Sequence, residues 1–371
     1  MRITDVSVTM FAWDGIPKAQ YSDRNPATTG RSELGLLAIE TEAGVTGHAF
    51  IGASFRSARL DVRGIIDVLK PVLTGRDAMA REARFQDVYR LRRAVTNRTI
   101  GAVDVALWDI AGKVANLPLH RLMGSYRTRV PTYASSSRLP ALEDYRRQFA
   151  KVRERGFRAY KLHPPPDVDE TIALCRAIRA DAGPGYVLMI DPSMAHRLPE
   201  AMRLGRVLEE LDFAWYEDPL SEEDIHNYVA LKAKLDIPIL ATEYAAGGFE
   251  SFPRWITAHA TDFLRGDVAV KGGLTPLLKA AHLAEAFQMT LEVHHGGNSH
   301  NNVAQLHLLM ALSNARYFEI LLPDDAQKYG LLRDIELEAD GTVAIDAFDR
   351  PGVGAEIDFD LVKAKTVEVL R

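Results

Sequence analysis

Residues 1–52 alternate apolar and polar positions, first in ITDVSVTMF and again in ELGLLAIETEAGVTGHAFI. A side-chain period of two belongs to strands with one buried face, and Glu42-Ala43-Gly44 reads as a hairpin turn, so a small antiparallel sheet is expected. Between Asp14 and Gly30 the pattern lapses into DGIPKAQYSDRNPATTG. A loop this long, rich in Pro, Gly, Asn and Thr, more often carries function than framework, and a lid is expected. After Ser57 the apolar residues recur three to four apart in LDVRGIIDVLKPVL, AREARFQDVYRLRR and IGAVDVALWDIAGKVA, the spacing of amphipathic helices.

From Arg129 the rhythm becomes apolar strand, polar loop, amphipathic helix. The strands read as VPTYASS, AYKLH, YVLMID, FAWYED, ILATE, FLRGDVA, TLEVHH and RYFEILL. Eight strands joined by helical crossovers predict an α/β fold of the TIM type, a (β/α)7β barrel. The remainder is polar and turn-rich. The expected organisation is an α+β capping domain over 1–125 with substrate-covering loops, a catalytic barrel over 126–323, and a segment 324–371 that packs back on the cap.

Composition narrows the function. Lys+Arg 45 against Asp+Glu 50 gives a net charge of −5 and a pI near 6.1, with no basic field to grip nucleic acid. The single cysteine, Cys175, forms no intramolecular disulfide, the start MRITDVSVTMFAWDG lacks a signal-peptide pattern, and no apolar run approaches membrane-spanning length. A cytoplasmic protein with no membrane role is expected.

From the second barrel strand onward each strand ends in an ionisable residue: Lys161, Asp191, Glu217, Glu243, Asp267, His294 and Glu319. The steps between them are 30, 26, 26, 24, 27 and 25 residues. One strand-loop-helix unit takes about that many residues, so all seven should converge on the carboxyl mouth, where barrel enzymes place their chemistry. Asp191, Glu217 and Glu243 on adjacent strands put three carboxylates within a few ångströms, which requires a counter-ion. An all-oxygen set favours Mg²⁺, with Mn²⁺ as a substitute. Taken singly, each acid would more simply cap the helix that follows it; three in register favour the metal.

Lys161 and His163, two apart, share a face, and Asp267 can orient the imidazole of His294. Lys161 could instead simply pair with Asp191, and Glu319 with Arg316. A hard metal between proton-transfer groups suits removal of a proton α to a carboxylate, with the enediolate stabilised where its charge develops. His295 faces away if its strand stays regular, although Gly296 and Gly297 can turn it toward the mouth. Substrate-contacting candidates are Lys18, Tyr21, Arg24 and Asn25 in the lid, Arg56 and Arg59 on a second segment, and His295.

At these residues the sequence resembles the mandelate racemase-like subgroup of the enolase superfamily along the whole chain. AVDVALWDIAGKVANLPLHRLMG resembles the closing helix of that family's cap. DPSMAH, WYEDPL and ATEY resemble its metal-ligand strand ends, and GDVAVKGGLT, LEVHHGGN and YFEILLP its last three. The resemblance implies a His-Asp dyad in His294 and Asp267. It also makes Lys161 the first lysine of a Lys-x-Lys motif whose second position here is His163, which departs from the usual lysine base. It implies dehydration of an aldonate or aldarate to a 2-keto-3-deoxy acid, with one of Lys161, His163 and His294 as base and Glu319 supporting the substrate carboxylate. It further implies a homo-oligomer. The alternatives are a racemase or epimerase, a sugar-lactone cycloisomerase, and a non-catalytic metal-binding homologue.

Overall fold

The N-terminal alternation becomes β1 (Ile3–Asp14), β2 (Arg31–Thr41) and β3 (Thr46–Ile51) in a computed structural model that describes residues 1–371. β1 and β2 run antiparallel from Ile3↔Thr41 to Asp14↔Arg31, with the long loop between them. The helix Asn97–Ala115 lies across this sheet and is buried along most of its length, capped by the Thr96 side chain at one end and by left-handed Asn116 at the other. The earlier helical stretch is broken instead of continuous: a 3-10 turn at Ala58–Leu60, a π-type turn at Gly64–Leu69 and a short α-turn at Lys70–Leu73. Pro71 has no N–H and crowds the preceding turn, so the ladder there cannot stay regular.

The eight barrel strands are β4 (Arg129–Ser135), β5 (Ala159–Leu162), β6 (Val187–Ile190), β7 (Tyr216–Glu217), β8 (Ile239–Ala241), β9 (Phe263–Gly266), β10 (Thr290–Val293) and β11 (Phe318–Leu321). They pair in parallel in the order β10-β9-β8-β7-β6-β5-β4-β11. This is a nearly closed parallel barrel under an antiparallel cap. Residues 324–371 pack largely against the cap, where Ala326, Ile357 and Val362 are buried with Phe11, Trp13, Leu34 and Phe50 and the Tyr329 ring stacks on Trp13. β12 (Thr342–Ala344) pairs antiparallel with β4 at the barrel floor, and only β13 (Thr366–Leu370) joins the cap sheet, beside β1.

Cap and barrel share one core, a single cluster of 84 buried residues. The helix Asn97–Ala115 staples them. Its buried Asp104 accepts from the N–H and hydroxyl of Thr275 at 2.9 and 2.6 Å, and its Trp108 donates to Thr275 Oγ1 at 2.9 Å. Gly101 lets the helix approach the loop after β9, because a Cβ there would sit 2.1 Å from the carbonyl oxygen of Val268. No helix is long and apolar enough to cross a membrane.

Candidate active site

Alternation along the strands builds the barrel interior in layers. Tyr133, Ala159, Met189, Trp215 and Leu240 form an apolar layer. Two residues further along, Lys161, Asp191, Glu217 and the next inward positions stand above it, because successive side chains of a strand point to opposite faces. The charged layer thus rests on an apolar, largely aromatic floor of buried side chains.

That layer is a dense ion network. Lys161, 1% exposed, places Nζ 3.0 Å from both oxygens of Glu217, 2.9 Å from Glu319 Oε1 and 3.6 Å from Asp191 Oδ2. Arg265, fully buried on β9, spans Glu217 at 2.9 Å, Glu319 at 2.7 Å, Glu243 at 3.4 Å and the Tyr133 hydroxyl at 3.0 Å. Burial opposes the charged form of Lys161 and Arg265 adds to that. The carboxylates of Glu217 and Glu319 outweigh both and hold the ammonium well above its ordinary range. Lys161 therefore does not merely pair with Asp191. Glu319 does not pair with Arg316 either, since Arg316 binds Glu292 at 2.6 Å. Glu319 lies beneath the cleft rather than lining it.

The three expected metal ligands stand at the ends of β6, β7 and β8. Asp191 and Glu243 line a cleft of about 320 Å³, and Glu217 lies below them. As the side chains stand, no three Asp, Glu, His or Cys donors are gathered into one coordination sphere. Glu217 is committed to Lys161, Arg265 and, at 3.2 Å, the Trp215 indole N–H. The donor set nonetheless fits a hard divalent ion. Asp191, Glu217, Asp218, Glu222, Glu243, Asp267 and Glu319 gather at this end of the barrel, and the cations that act on them are Lys161, Arg265, Lys271 and His294, with Arg98 acting on Asp267. Asp218 Oδ1 and both Glu222 oxygens are buried without a donor. Burial and then the neighbouring charges of Glu222, Asp191, Glu243 and Glu217 push the Asp218 carboxyl well above its usual range, the mark of uncompensated negative charge.

Asp267 and His294 meet as expected, with Oδ2 and Nδ1 2.6 Å apart, while Asp267 Oδ1 accepts the N–H groups of Ala269 and Val270. Burial disfavours the imidazolium, yet the Glu243 charge and the Asp267 hydrogen bond prevail and raise His294 to about 9. The Asp267 carboxyl, which burial alone would raise, is drawn down to about 2 by His294, with Arg98 contributing. His163 donates from Nδ1 to the Ser136 carbonyl at 2.6 Å, so Nε2, 3.2 Å from Asp191, faces the cleft. His295 stays turned away despite Gly296 and Gly297. It is buried against Phe318, accepts the Glu319 N–H at Nδ1, and burial drops its imidazole to about 3, so it does not join the substrate-contacting set.

The loop at 15–30 lies over the mouth, where Tyr21, Arg24 and Asn25 line the cleft. Tyr21 donates to the Leu322 carbonyl at 3.1 Å and its ring meets that of His163 edge-on. Lys18 is exposed and does not line it. Arg56 binds Asp61 and lines an adjoining cavity, while Arg59 is spent on Glu33 and Glu368 at the surface. Sequence reasoning missed Arg265, Asp218, Phe55 and Tyr244. The arginine was the readable one: a charge inside FLRGDVA, two before Asp267, shares that residue's inward face.

Residues 144–361 match the family described as enolase C-terminal domain-like, and residues 18–124 match the mandelate racemase / muconate lactonizing enzyme N-terminal domain. The chain is 28% identical over 335 residues to the arabinonate dehydratase of Saccharolobus solfataricus, covering 88% of each. It is 29% identical to the 3,6-anhydro-alpha-L-galactonate cycloisomerase of Streptomyces coelicolor, over 88% of this chain and 90% of that one. The crystal structure of D-glucarate dehydratase from Agrobacterium tumefaciens complexed with magnesium superimposes with a TM-score of 0.88 at 36% identity, covering 99% of this chain and 100% of that one.

Proposed function

The chain belongs to the mandelate racemase / muconate lactonizing enzyme family, and from that premise we propose that it dehydrates an acid sugar to a 2-keto-3-deoxy acid. The carrying observation is the pair of imidazoles, His163 on the β5 side and His294 after β10, presenting Nε2 to one cleft whose base is a carboxylate-ammonium network. Asp191, Glu217 and Glu243 are the residues that would hold a Mg²⁺, which when bound supplies Lewis-acid stabilisation of negative charge on carboxylate oxygens.

The chain's own groups divide the remaining work. Lys161, held between Glu217 and Glu319 at the floor of the cleft, places positive charge against the substrate carboxylate and the enediolate that develops there. His163, anchored through Nδ1, takes the C2 proton at Nε2. His294, kept protonated by Asp267 and Glu243, delivers a proton to the departing 3-hydroxyl, so water leaves without a free hydroxide. Glu319 acts through Lys161, fixing its ammonium. The lid residues Tyr21 and Asn25 close the mouth over the substrate. Dehydratase relatives support this outcome, whereas the cycloisomerase relative supports a second reading in which the same proton removal ends in lactone rearrangement.

The test is proton NMR in D₂O with Mg²⁺ and a panel of acid sugars. Exchange at C2 with appearance of a 3-deoxy methylene is expected, and it should vanish with EDTA or in Glu217→Gln. Exchange or isomerisation without loss of water would replace dehydration with racemisation or cycloisomerisation. Full activity of Glu217→Gln in EDTA would overturn the metal assignment.

A further inference from the structure

His163 stands where the sheet gives out. β5 ends at Leu162, and three prolines, Pro164, Pro165 and Pro166, follow the imidazole residue. Proline has no N–H and confines the residue before it to extended backbone, so the stretch cannot go on donating to a strand ladder and leaves the barrel by a stiff path. Side chains take the place of the ladder. The hydroxyl of Ser136, just after β4, accepts the His163 N–H at 2.9 Å. The hydroxyl of Tyr145, in the first turn of the helix Leu142–Glu154, donates to the His163 carbonyl at 2.8 Å and accepts the Leu139 N–H at 2.9 Å. The next two carbonyls are held in the same way, Pro164 by Arg138 Nε at 3.2 Å and Pro165 by the Thr171 hydroxyl at 2.9 Å.

Ser136 and Tyr145 are 0% and 2% exposed, and burial pushes the Tyr145 phenol up to about 12, so it remains a donor at neutral pH. Between them the two hydroxyls fix both backbone groups of His163, and with them the distance at which Nδ1 meets the Ser136 carbonyl, 2.6 Å away. That bond sets which nitrogen faces the cleft. His294 is aimed differently, by the Asp267 carboxylate on a neighbouring strand. Nδ1 of His163 meets only the Ser136 carbonyl and, at 3.4 Å, the Ser135 hydroxyl, so its aim depends on where the backbone is held. We propose that Ser136 and Tyr145 are positioning residues for proton removal: their hydroxyls hold the His163 backbone so that Nε2 is directed at C2 of the substrate. The inference rests on the acid-sugar reading above, with His163 as the base. A displacement of about 1 Å in a reacting group costs on the order of 10²-fold in rate, so two hydrogen bonds that never touch the substrate carry a kinetic effect.

The test uses the Mg²⁺-loaded full chain and measures kcat, KM and the deuterium isotope effect at C2 for the acid sugar turned over. The variants are Ser136→Ala, Tyr145→Phe and, as a control on the same stretch, Thr171→Val. In Ser136→Ala and Tyr145→Phe, kcat should fall by roughly 10- to 100-fold with KM held within about threefold, because the groups that bind substrate are untouched. The isotope effect should rise as proton removal becomes the slower step. Thr171→Val should keep the parental kcat. In nitrogen NMR of selectively labelled histidines, the His163 ring should pass from the single Nδ1–H tautomer of the parent to a mixture in both variants. Parental kcat and isotope effect in Ser136→Ala and Tyr145→Phe, or an equal loss in Thr171→Val, would overturn the inference. Where Ser136→Ala does not fold, Tyr145→Phe, which keeps its ring in place, decides. Exchange at C2 without loss of water in the parent would overturn dehydration, and the same comparison of exchange rates would judge the two hydroxyls. A parent that acts on no acid would overturn the dehydratase reading, and the spectra then decide: a tautomer mixture in the variants upholds the positioning role, and a parental spectrum overturns it.

Discussion

Replacing Arg265 with leucine keeps roughly the side-chain volume and removes the one cation that ties β7, β8 and β11 together. Glu217 and Glu319 are 2.9 and 2.7 Å from the guanidinium and fully buried, and Glu243 is 3.4 Å away. In the variant Lys161 alone must neutralise them. Removing one partner of a buried ion pair destabilises by about 3–5 kcal/mol, because the remaining charges cannot return to water. With about 2.1 cal/mol/K of unfolding entropy per residue, a chain of 371 residues should lose about 4–6 °C in Tm. The pH dependence has a definite sign. Burial already raises the Glu217 carboxyl, and losing Arg265 raises it further above its unfolded value. The penalty is therefore complete at neutral pH and is relieved as the pH falls toward about 4.5, where the unfolded carboxylates also take up protons. Thermal denaturation of parent and variant between pH 5 and 8 in EDTA measures both quantities. A Tm change below about 1 °C at pH 7, or a deficit that grows toward acid, would refute the view that Arg265 neutralises this layer.

In protein stripped of divalent ions, the His294 imidazole should titrate near 9 by NMR and move toward 6.5 in Asp267→Asn; no movement would deny the dyad its role. Because this folded value lies above the unfolded one, the His294 contribution to stability should be full below about pH 6.5 and lost as the pH rises through 9. Lys161→Met should lower turnover by about 10³-fold, the scale of losing a preorganised charge at a developing oxyanion, while C2 exchange at the parental rate would remove Lys161 from the mechanism. Gly101→Ala should cost about 1–3 kcal/mol, seen as a lower denaturation midpoint, since its Cβ would press on the Val268 carbonyl at the junction of cap and barrel.

Strand existence and site membership were legible because both are local. A period of two says which face a residue takes, and a repeat of 24 to 30 residues says that successive strand ends share one rim. Lys161, His163, Asp191, Glu243 and His294 were readable on those grounds, and so was the outward turn of His295, one residue from its neighbour. Other features depend on what lies across the barrel. Periodicity names no partner, so it could not show Arg265 gripping carboxylates from three other strands, nor that Glu217 is held by cations in place of standing open. Arg59 and Arg56 lie where no repeat fixes direction, and only the fold decides that Glu33, Glu368 and Asp61 take them up while Arg24 reaches the Met194 carbonyl. Residues 324–371 divide between barrel floor and cap edge for the same reason: a short strand accepts whichever unpaired edge the completed fold brings to it. The sequence by itself determined which side chains could face the mouth, and the tertiary structure decided which charges would neutralise one another and which would be left for a ligand, because pairing depends on distances that only chain closure sets.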